Sequence, residues 1–182
     1  MKVRHAILGV LMDESRSGYE IKQYFENRLS YFYDPSYGTI YPTLKILEQD
    51  GLLTKTVVTQ DGKPNKNIYS ITESGRAEFL ECLVGPYEPD TVRSDTLMRL
   101  FFGKYVDKST IIGWLSEARE AARKNITELE QLKEQFGSRM PLPQQFSLEY
   151  GIRSNYNKLE LTEVFIAKLQ EQEPTAHEHD PD

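Results

Sequence analysis

Near residue 52 the apolar pattern of the chain changes period. Up to Leu52, apolar residues recur every three to four positions. From Leu52 to Val58, and again from Asn67 to Thr72, the segments are β-branched and Thr-rich with a period near two. Between them, Gln60-Asp61-Gly62-Lys63-Pro64-Asn65 is turn chemistry. The pattern predicts one β-hairpin with a polar tip, set among helices.

Three helices precede the hairpin. The first spans Val3 to Met12, with Ile7, Leu8 and Leu11 on one side. The second begins at Ser17, where Ser17-Gly18-Tyr19-Glu20 fits a capping box, and Ile21, Phe25 and Leu29 line its inner face. The third carries the stripe Ile40, Leu44 and Leu47 and ends at Asp50-Gly51-Leu52, with glycine in the left-handed conformation. Its start is open to two readings. Asp34-Pro35 has capping chemistry, but Pro42 would then interrupt a long helix, so a later start near Gly38 is favoured. Behind the hairpin, Thr72-Glu73 caps a fourth helix through Phe79 and Leu83.

Residues 84–91 hold two prolines and a glycine and read as a linker. A helix from Thr91 to Phe102 follows. The longest segment, Lys108 to Phe136, carries Ile111, Leu115, Ala118, Ala122, Leu129, Leu132 and Phe136 at heptad spacing, with Asn125 in the missing seam position, where a polar residue fixes register. Gly137 ends it. Residues 138–145 read as a loop, and Phe146 to Gln170 as a last helix with Ile152, Tyr156, Leu159, Ile166 and Leu169 on one side. The expected class is mainly α with a small β-hairpin. A winged helix-turn-helix covers residues 1–83, a helical dimerisation domain 92–170, and an acidic disordered tail 171–182.

Composition narrows the function. Leu, Ile, Val and Phe number 46 of 182 residues, enough for a folded core. The longest apolar run, Ala6 to Met12, is far short of the ~18 residues of a spanning helix. Lys2 and Arg4 ahead of it imitate a signal peptide, but Asp13 and Glu14 follow with no cleavage site. The single cysteine, Cys82, excludes an intrachain disulfide and fits a reducing, cytoplasmic setting. No His or basic residue flanks it in sequence, so it reads as buried and inert; His5 reads as a residue at the edge of the core. No phosphate loop, HExxH or GxSxG is present, so an enzyme is not expected. His177-Glu178-His179 lacks a third fixed ligand, and neither metal nor cofactor is expected.

Helix, helix, helix, hairpin is the chain order of a winged helix-turn-helix, which sets its third helix in the DNA major groove. Opposite the buried stripe stand Ser36, Tyr37, Thr39, Tyr41, Thr43 and Lys45, suited to phosphates and base edges. The wing tip offers Lys63 and Lys66 beside Asn65 and Asn67, and the second helix offers Tyr19 and Lys22. The same polar face would serve equally as plain solvated surface. Residues 1–80 carry ten cationic and ten anionic side chains, without the usual basic excess of a DNA-binding domain.

Four strings in order, Ala6-Ile7-Leu8-Gly9, Ser17-Gly18-Tyr19-Glu20-Ile21, Gly38-Thr39-Ile40-Tyr41-Pro42-Thr43-Leu44-Lys45-Ile46-Leu47-Glu48-Gln49-Asp50-Gly51-Leu52 and Tyr69-Ser70-Ile71-Thr72-Glu73-Ser74-Gly75-Arg76, resemble the PadR family of bacterial transcriptional regulators. The resemblance covers residues 1–83; the remainder resembles the branch of that family with a long helical C-terminal domain. It implies a dimeric winged-helix repressor that reads DNA with Ser36 to Lys45, Pro42 included, and touches the backbone with Lys63 to Asn67. It further implies release by a small-molecule effector, which no motif here identifies. Trp114 with Tyr156 or Phe165 is one candidate effector cavity.

The heptad seam can bury within the chain or across a two-fold axis; the linker favours the two-fold, with Ile111, Trp114, Leu115, Ala118, Ala122, Leu129, Leu132, Leu159 and Ile166 at the dimer contact. A homodimer would place two reading helices about 34 Å apart on a pseudo-palindromic, double-stranded operator. The rival reading is a protein-interaction adaptor on the same scaffold, binding a partner through the heptad helix without specific DNA binding.

Overall fold

The computed structural model describes residues 1–33, 37–60, 63–87, 89 and 92–171. The chain divides into two units, residues 1–90 and 91–182.

In the first unit, α1 (Val3–Val10) is followed by a two-residue strand β1 (Arg16–Ser17), α2 (Gly18–Tyr24) with a π-helical turn at Phe25–Leu29, α3 (Tyr37–Gln49), β2 (Leu53–Gln60), β3 (Lys63–Ile71) and α4 (Glu73–Val84). Ile7, Leu8, Leu11, Ile21, Phe25, Ile40, Leu44 and Leu47 are fully or almost fully buried in one core, which Leu52, Leu53 and Tyr69 extend toward the sheet. Burial of each large apolar side chain contributes roughly 1.5–3 kcal/mol.

The local signals act as read. The Ser17 hydroxyl accepts from Glu20 N at 3.2 Å, and the Glu20 carboxylate accepts from Ser17 N at 2.8 Å, both halves of the capping box. Gly51 has φ +72°, and Leu52 N donates to Leu47 O at 2.9 Å while Gly51 N donates to Glu48 O at 3.1 Å, which together close α3. The Thr72 hydroxyl accepts from Gly75 N at 3.1 Å and starts α4.

Other expectations shift. α3 starts at Tyr37, close to the favoured start, but Pro42 stands inside the helix as its sixth residue. Its missing N–H deprives the carbonyl of Gly38, an exposed residue that water reaches. The hairpin is longer than the β-branched runs, pairing from Leu53↔Ile71 to Gln60↔Lys63 with an irregularity between Val58 and Gln60. The sheet has three strands in the order β1-β3-β2, because Arg16 and Ser17 pair with Tyr69 and Ile68. Cys82 is half-buried with its sulfur 3.0 Å from His5 Nδ1. It therefore has the imidazole partner that sequence neighbours did not offer.

The second unit opens with α5 (Asp95–Phe101), a short 3-10 turn at Gly103–Tyr105, α6 (Lys108–Phe136), a second 3-10 turn at Gly137–Arg139 and α7 (Leu142–Glu171). α5 starts where the Ser94 hydroxyl accepts from Leu97 N, later than Thr91, which lies outside the described residues. α7 starts four residues before Phe146. Pro143 falls in its first turn, where the missing N–H has no intrahelical role.

α6 and α7 pair antiparallel, as Lys133–Glu149 (2.7 Å), Asn125–Asn155 (3.2 Å) and Arg123–Glu163 (2.6 Å) demonstrate. The seam therefore buries within the chain. Leu115, Ala118, Ala122, Ile126 and Leu129 of α6 pack with Leu148, Ile152 and Ile166 of α7 in this hairpin. This corrects the expected burial across a two-fold. One chain contains both the seam and a complementary helix, and an intramolecular partner forgoes the entropy lost on association. Ile111, Trp114, Leu132 and Leu159 are half-buried at its margins. Asn125 donates to Asn155 Oδ1, and Asn155 donates to Gly151 O at 2.8 Å, a polar pair that fixes the register.

Candidate nucleic-acid interface

The N-terminus of α2 organises the polar face of the first unit. Gly18 lies against the ring of Tyr41; a Cβ there would stand 2.7 Å from Tyr41 Cε1. Two residues on, Glu20 accepts from Lys66 Nζ of β3 at 2.9 Å. Ser17, just before Gly18, is paired with Ile68 of the same strand. One helix end thus ties down both the outer side chain of α3 and the root of the wing. The three elements that sequence reasoning nominated are held together by β1 and the capping box.

Along α3 the outward positions are Tyr41, Pro42, Lys45, Ile46 and Gln49, all exposed. Lys45 has no ion-pair partner among the described residues and stands as the available cation of this helix. Thr39 and Thr43 are half-buried at the flank, and the Thr43 hydroxyl donates to Thr39 O at 2.6 Å. Ser36 and the side chains of Tyr37 and Lys63 lie outside the described residues. Ile46 and Gln49 were missed, although a 100° step from Lys45 and Pro42 places both on the outer arc.

Tyr19 is 62% exposed, its hydroxyl accepting from Gln23 Nε2 at 3.2 Å. Asn67 is exposed on β3. Most neighbouring cations are paired. Lys22 sits 3.2 Å from Glu26, Lys55 2.9 Å from Glu48, and Arg16 pairs with Glu14 while its guanidinium lies 4.9 Å from the Tyr24 ring centroid. This pairing gives the even charge of residues 1–80 a structural form. The surface carries cations, but each carboxylate partner must be displaced or tolerated by an approaching phosphate.

Glu20 is the clearest case. The amide of Ser17 chiefly, then Lys66 and the Ser17 hydroxyl, hold its carboxyl down from 4.5 to about 2. A carboxyl lowered on folding stabilises the fold above its unfolded pKa. That contribution is complete above about pH 4.5 and is lost as pH falls toward 2. Glu20→Gln keeps an amide oxygen for the cap but releases Lys66 and removes a negative charge. DNA affinity should rise about threefold to tenfold at low salt, the scale of one screened charge pair. The share of stability that Glu20 loses in acid should vanish with it. Unchanged affinity and an unchanged acid limb of stability would remove Glu20 from both roles.

In the second unit, Trp114 and Tyr156 of the candidate effector set are not brought together. Tyr156 donates to Glu130 Oε1 at 2.6 Å. Glu130 is sixteen residues along α6 from Trp114, about 24 Å at 1.5 Å per residue. Trp114 instead receives the guanidinium of Arg99, 5.6 Å from its ring. A cavity of about 730 Å³ lies at the opposite end of the hairpin, lined by Lys133, Leu142, Phe146 and Glu149 among others. Among the described residues no group of three His, Cys, Asp or Glu is arranged for a metal, and no helix is long and apolar enough to cross a membrane. His177 and His179 lie outside the described residues.

Residues 7–81 match the transcriptional regulator PadR-like family, and residues 92–170 match the virulence activator alpha C-terminal family. The crystal structure of the PadR-like transcriptional regulator BC1756 from Bacillus cereus is 37% identical, with 94% of this chain and 100% of that one covered, at TM-score 0.81. The smu.1604c protein of Streptococcus mutans UA159 is 40% identical over 92% of this chain and 99% of its own, at TM-score 0.88. The negative transcriptional regulator PadR of Bacillus subtilis is 34% identical over 101 residues, 55% of this chain and 56% of that relative. Its structure with operator DNA aligns at TM-score 0.71 and 24% identity over 92% and 98% of the chains, a likeness of fold. The chain spans about half the length of the curated relatives it matches. With a near-complete alignment to a PadR-like regulator at 37% identity, a winged helix in the first unit and a helical second unit, the chain belongs to the PadR-like family of transcriptional regulators.

Proposed function

We propose that the chain is a sequence-specific DNA-binding repressor that acts as a homodimer on a pseudo-palindromic operator in the cytoplasm, without enzymatic activity. The observation that carries the reading is the exposed arc of α3, with Tyr41, Pro42 and Lys45 flanked by Tyr19, Lys22, Lys66 and Asn67. Ser36, Tyr37, Thr39 and Lys63 complete the proposed contact set. Bacillus subtilis PadR has been solved with operator DNA and with p-coumaric acid. By analogy an effector, of unidentified chemistry, would shift this chain between two spacings of its reading helices. The test is operator binding by the full chain with a scrambled duplex as competitor. Loss of all preference for operator would leave the adaptor reading in its place.

Dimerisation is proposed for the second unit. The margins of the seam, Ile111, Trp114, Leu132 and Leu159, retain a share of the contact. The fully buried seam residues act by holding the hairpin rigid. The apolar side chains left in water support the reading: Leu97, Phe101, Tyr105, Phe146 and Phe165 of the second unit are all exposed. Phe101→Glu and Phe146→Glu should each shift sedimentation toward monomer, by about 2 kcal/mol or more if the ring is a central anchor. Dimers of undiminished stability in both variants would place the contact elsewhere.

A further inference from the structure

The only cysteine of the chain stands two residues before the end of α4 and faces α1. Cys82 Sγ is 3.0 Å from His5 Nδ1, and His5 Nε2 is 3.5 Å from Glu78 Oε1. Glu78 and Cys82 are one helical turn apart. Arg4 fixes the carboxylate, donating from Nε to Oε1 at 2.8 Å and from a terminal nitrogen to Oε2 at 3.3 Å. Packing does not require this cluster. Close approach of the two helices is provided by Gly9, whose absent Cβ would stand 2.8 Å from the Phe79 ring. Sulfur, imidazole and carboxylate line an open groove of about 660 Å³ together with Met1, Lys2, Glu81 and Tyr87. A nucleophile, a base at hydrogen-bond distance and a group orienting that base form the arrangement of an activated thiol.

We propose that Cys82, His5 and Glu78 form a thiol-modification site at which a small hydroperoxide oxidises Cys82. His5 Nδ1 takes the S–H proton, with Glu78 facing the positive charge at Nε2. The sulfur attacks one oxygen of hydrogen peroxide; the S–O bond forms as the O–O bond breaks. The departing hydroxide takes the proton back from His5. The balance is thiol plus hydrogen peroxide giving sulfenic acid plus water, with sulfur oxidised by two electrons and peroxide reduced. The chain has no second cysteine, so the sulfenic acid is capped by a small thiol, giving a mixed disulfide and water. Neither product fits between Sγ and Nδ1 at 3.0 Å, so modification turns the sulfur out of its contact with His5 and into the groove. The site stands on its own geometry and does not rest on DNA binding.

The test is trapping of the sulfenic acid in the full-length protein with dimedone during exposure to hydrogen peroxide, read by intact mass. Native protein should be labelled at least about tenfold faster than the same protein unfolded in urea, and His5→Asn should lose most of that advantage, in keeping with acid–base assistance. Glu78→Gln should fall between the two, with native circular dichroism. Cys82→Ser should not label. If the native and unfolded chains label at equal rates, or folded His5→Asn labels at the wild-type rate, the proposal is overturned. Should His5→Asn fail to fold, the native-to-unfolded ratio and Glu78→Gln decide alone.

Discussion

Gly75→Ala should destabilise the first unit by about 2–4 kcal/mol, a large share of the stability of a small domain. Gly75 is buried in the first turn of α4, and a Cβ built on it would stand 2.3 Å from the carbonyl oxygen of Leu52 and 2.9 Å from Ile71 Cγ1. The close neighbour is backbone, and that carbonyl is committed, accepting from Thr72 N at 3.0 Å. Moving it would disturb the end of α3, the start of β2 and the cap of α4 together. The overlap cannot be relieved by a rotamer change. Urea unfolding should report the loss as a lower midpoint with an unchanged slope. Ser74→Ala, an exposed neighbour in the same turn, should stay within about 0.5 kcal/mol of wild type. If Gly75→Ala unfolds at the wild-type midpoint, the packing of α4 described above is wrong.

Tyr41→Ala combined with Lys45→Ala should lower operator affinity by about 2–4 kcal/mol, a factor of roughly 30 to 1,000, since a single good base or phosphate contact contributes about 1–3 kcal/mol. Lys45 is exposed, with no ion-pair partner among the described residues, so its charge is available without displacing a carboxylate. Tyr41 is 41% exposed, its ring braced on Gly18, so it presents an ordered edge. Neither residue belongs to the buried core, and helix content and thermal midpoint should hold. Lys45→Ala alone should weaken operator and scrambled duplexes alike and flatten the salt dependence if it meets phosphate. Tyr41→Ala should act mainly on the operator if it meets a base edge. Wild-type affinity in the double variant would move the reading surface off α3.

Local chemistry made much of the fold legible. The Ser17–Glu20 box, the left-handed Gly51 and the Thr72 cap each act over three to five residues, and each appears as read. The heptad spacing of α6 gave the helix and its seam, with Ile126 overlooked because Asn125 filled the adjacent position. Strand β1 was invisible because two residues cannot display a period. The partner of the seam was misjudged for a related reason. A stripe states that something must cover it but not what: α7 showed a stripe of its own in Ile152, Leu159 and Ile166, yet its buried face also includes Gly151, Asn155 and Thr162, which do not mark a partner for an apolar seam. Contacts between distant residues were equally hidden. Glu20–Lys66 is 46 positions apart and His5–Cys82 is 77. The outer arc of α3 proposed to read DNA was legible as a polar face, but the ion pairing around it was not, because pairing depends on what the fold sets alongside each charge.

The central claim is that the arc of α3 reads DNA sequence. The most direct measurement is fluorescence anisotropy of the full chain on DNA from upstream of its own gene, at about 50 mM and about 200 mM salt, against a scrambled duplex of equal length. Affinity should exceed that for the scrambled duplex by about 10³ or more and fall at least about tenfold across that salt range through counterion release. Operator and scrambled duplexes bound alike at both salts, with the Tyr41 and Lys45 double variant indistinguishable from wild type, would contradict it.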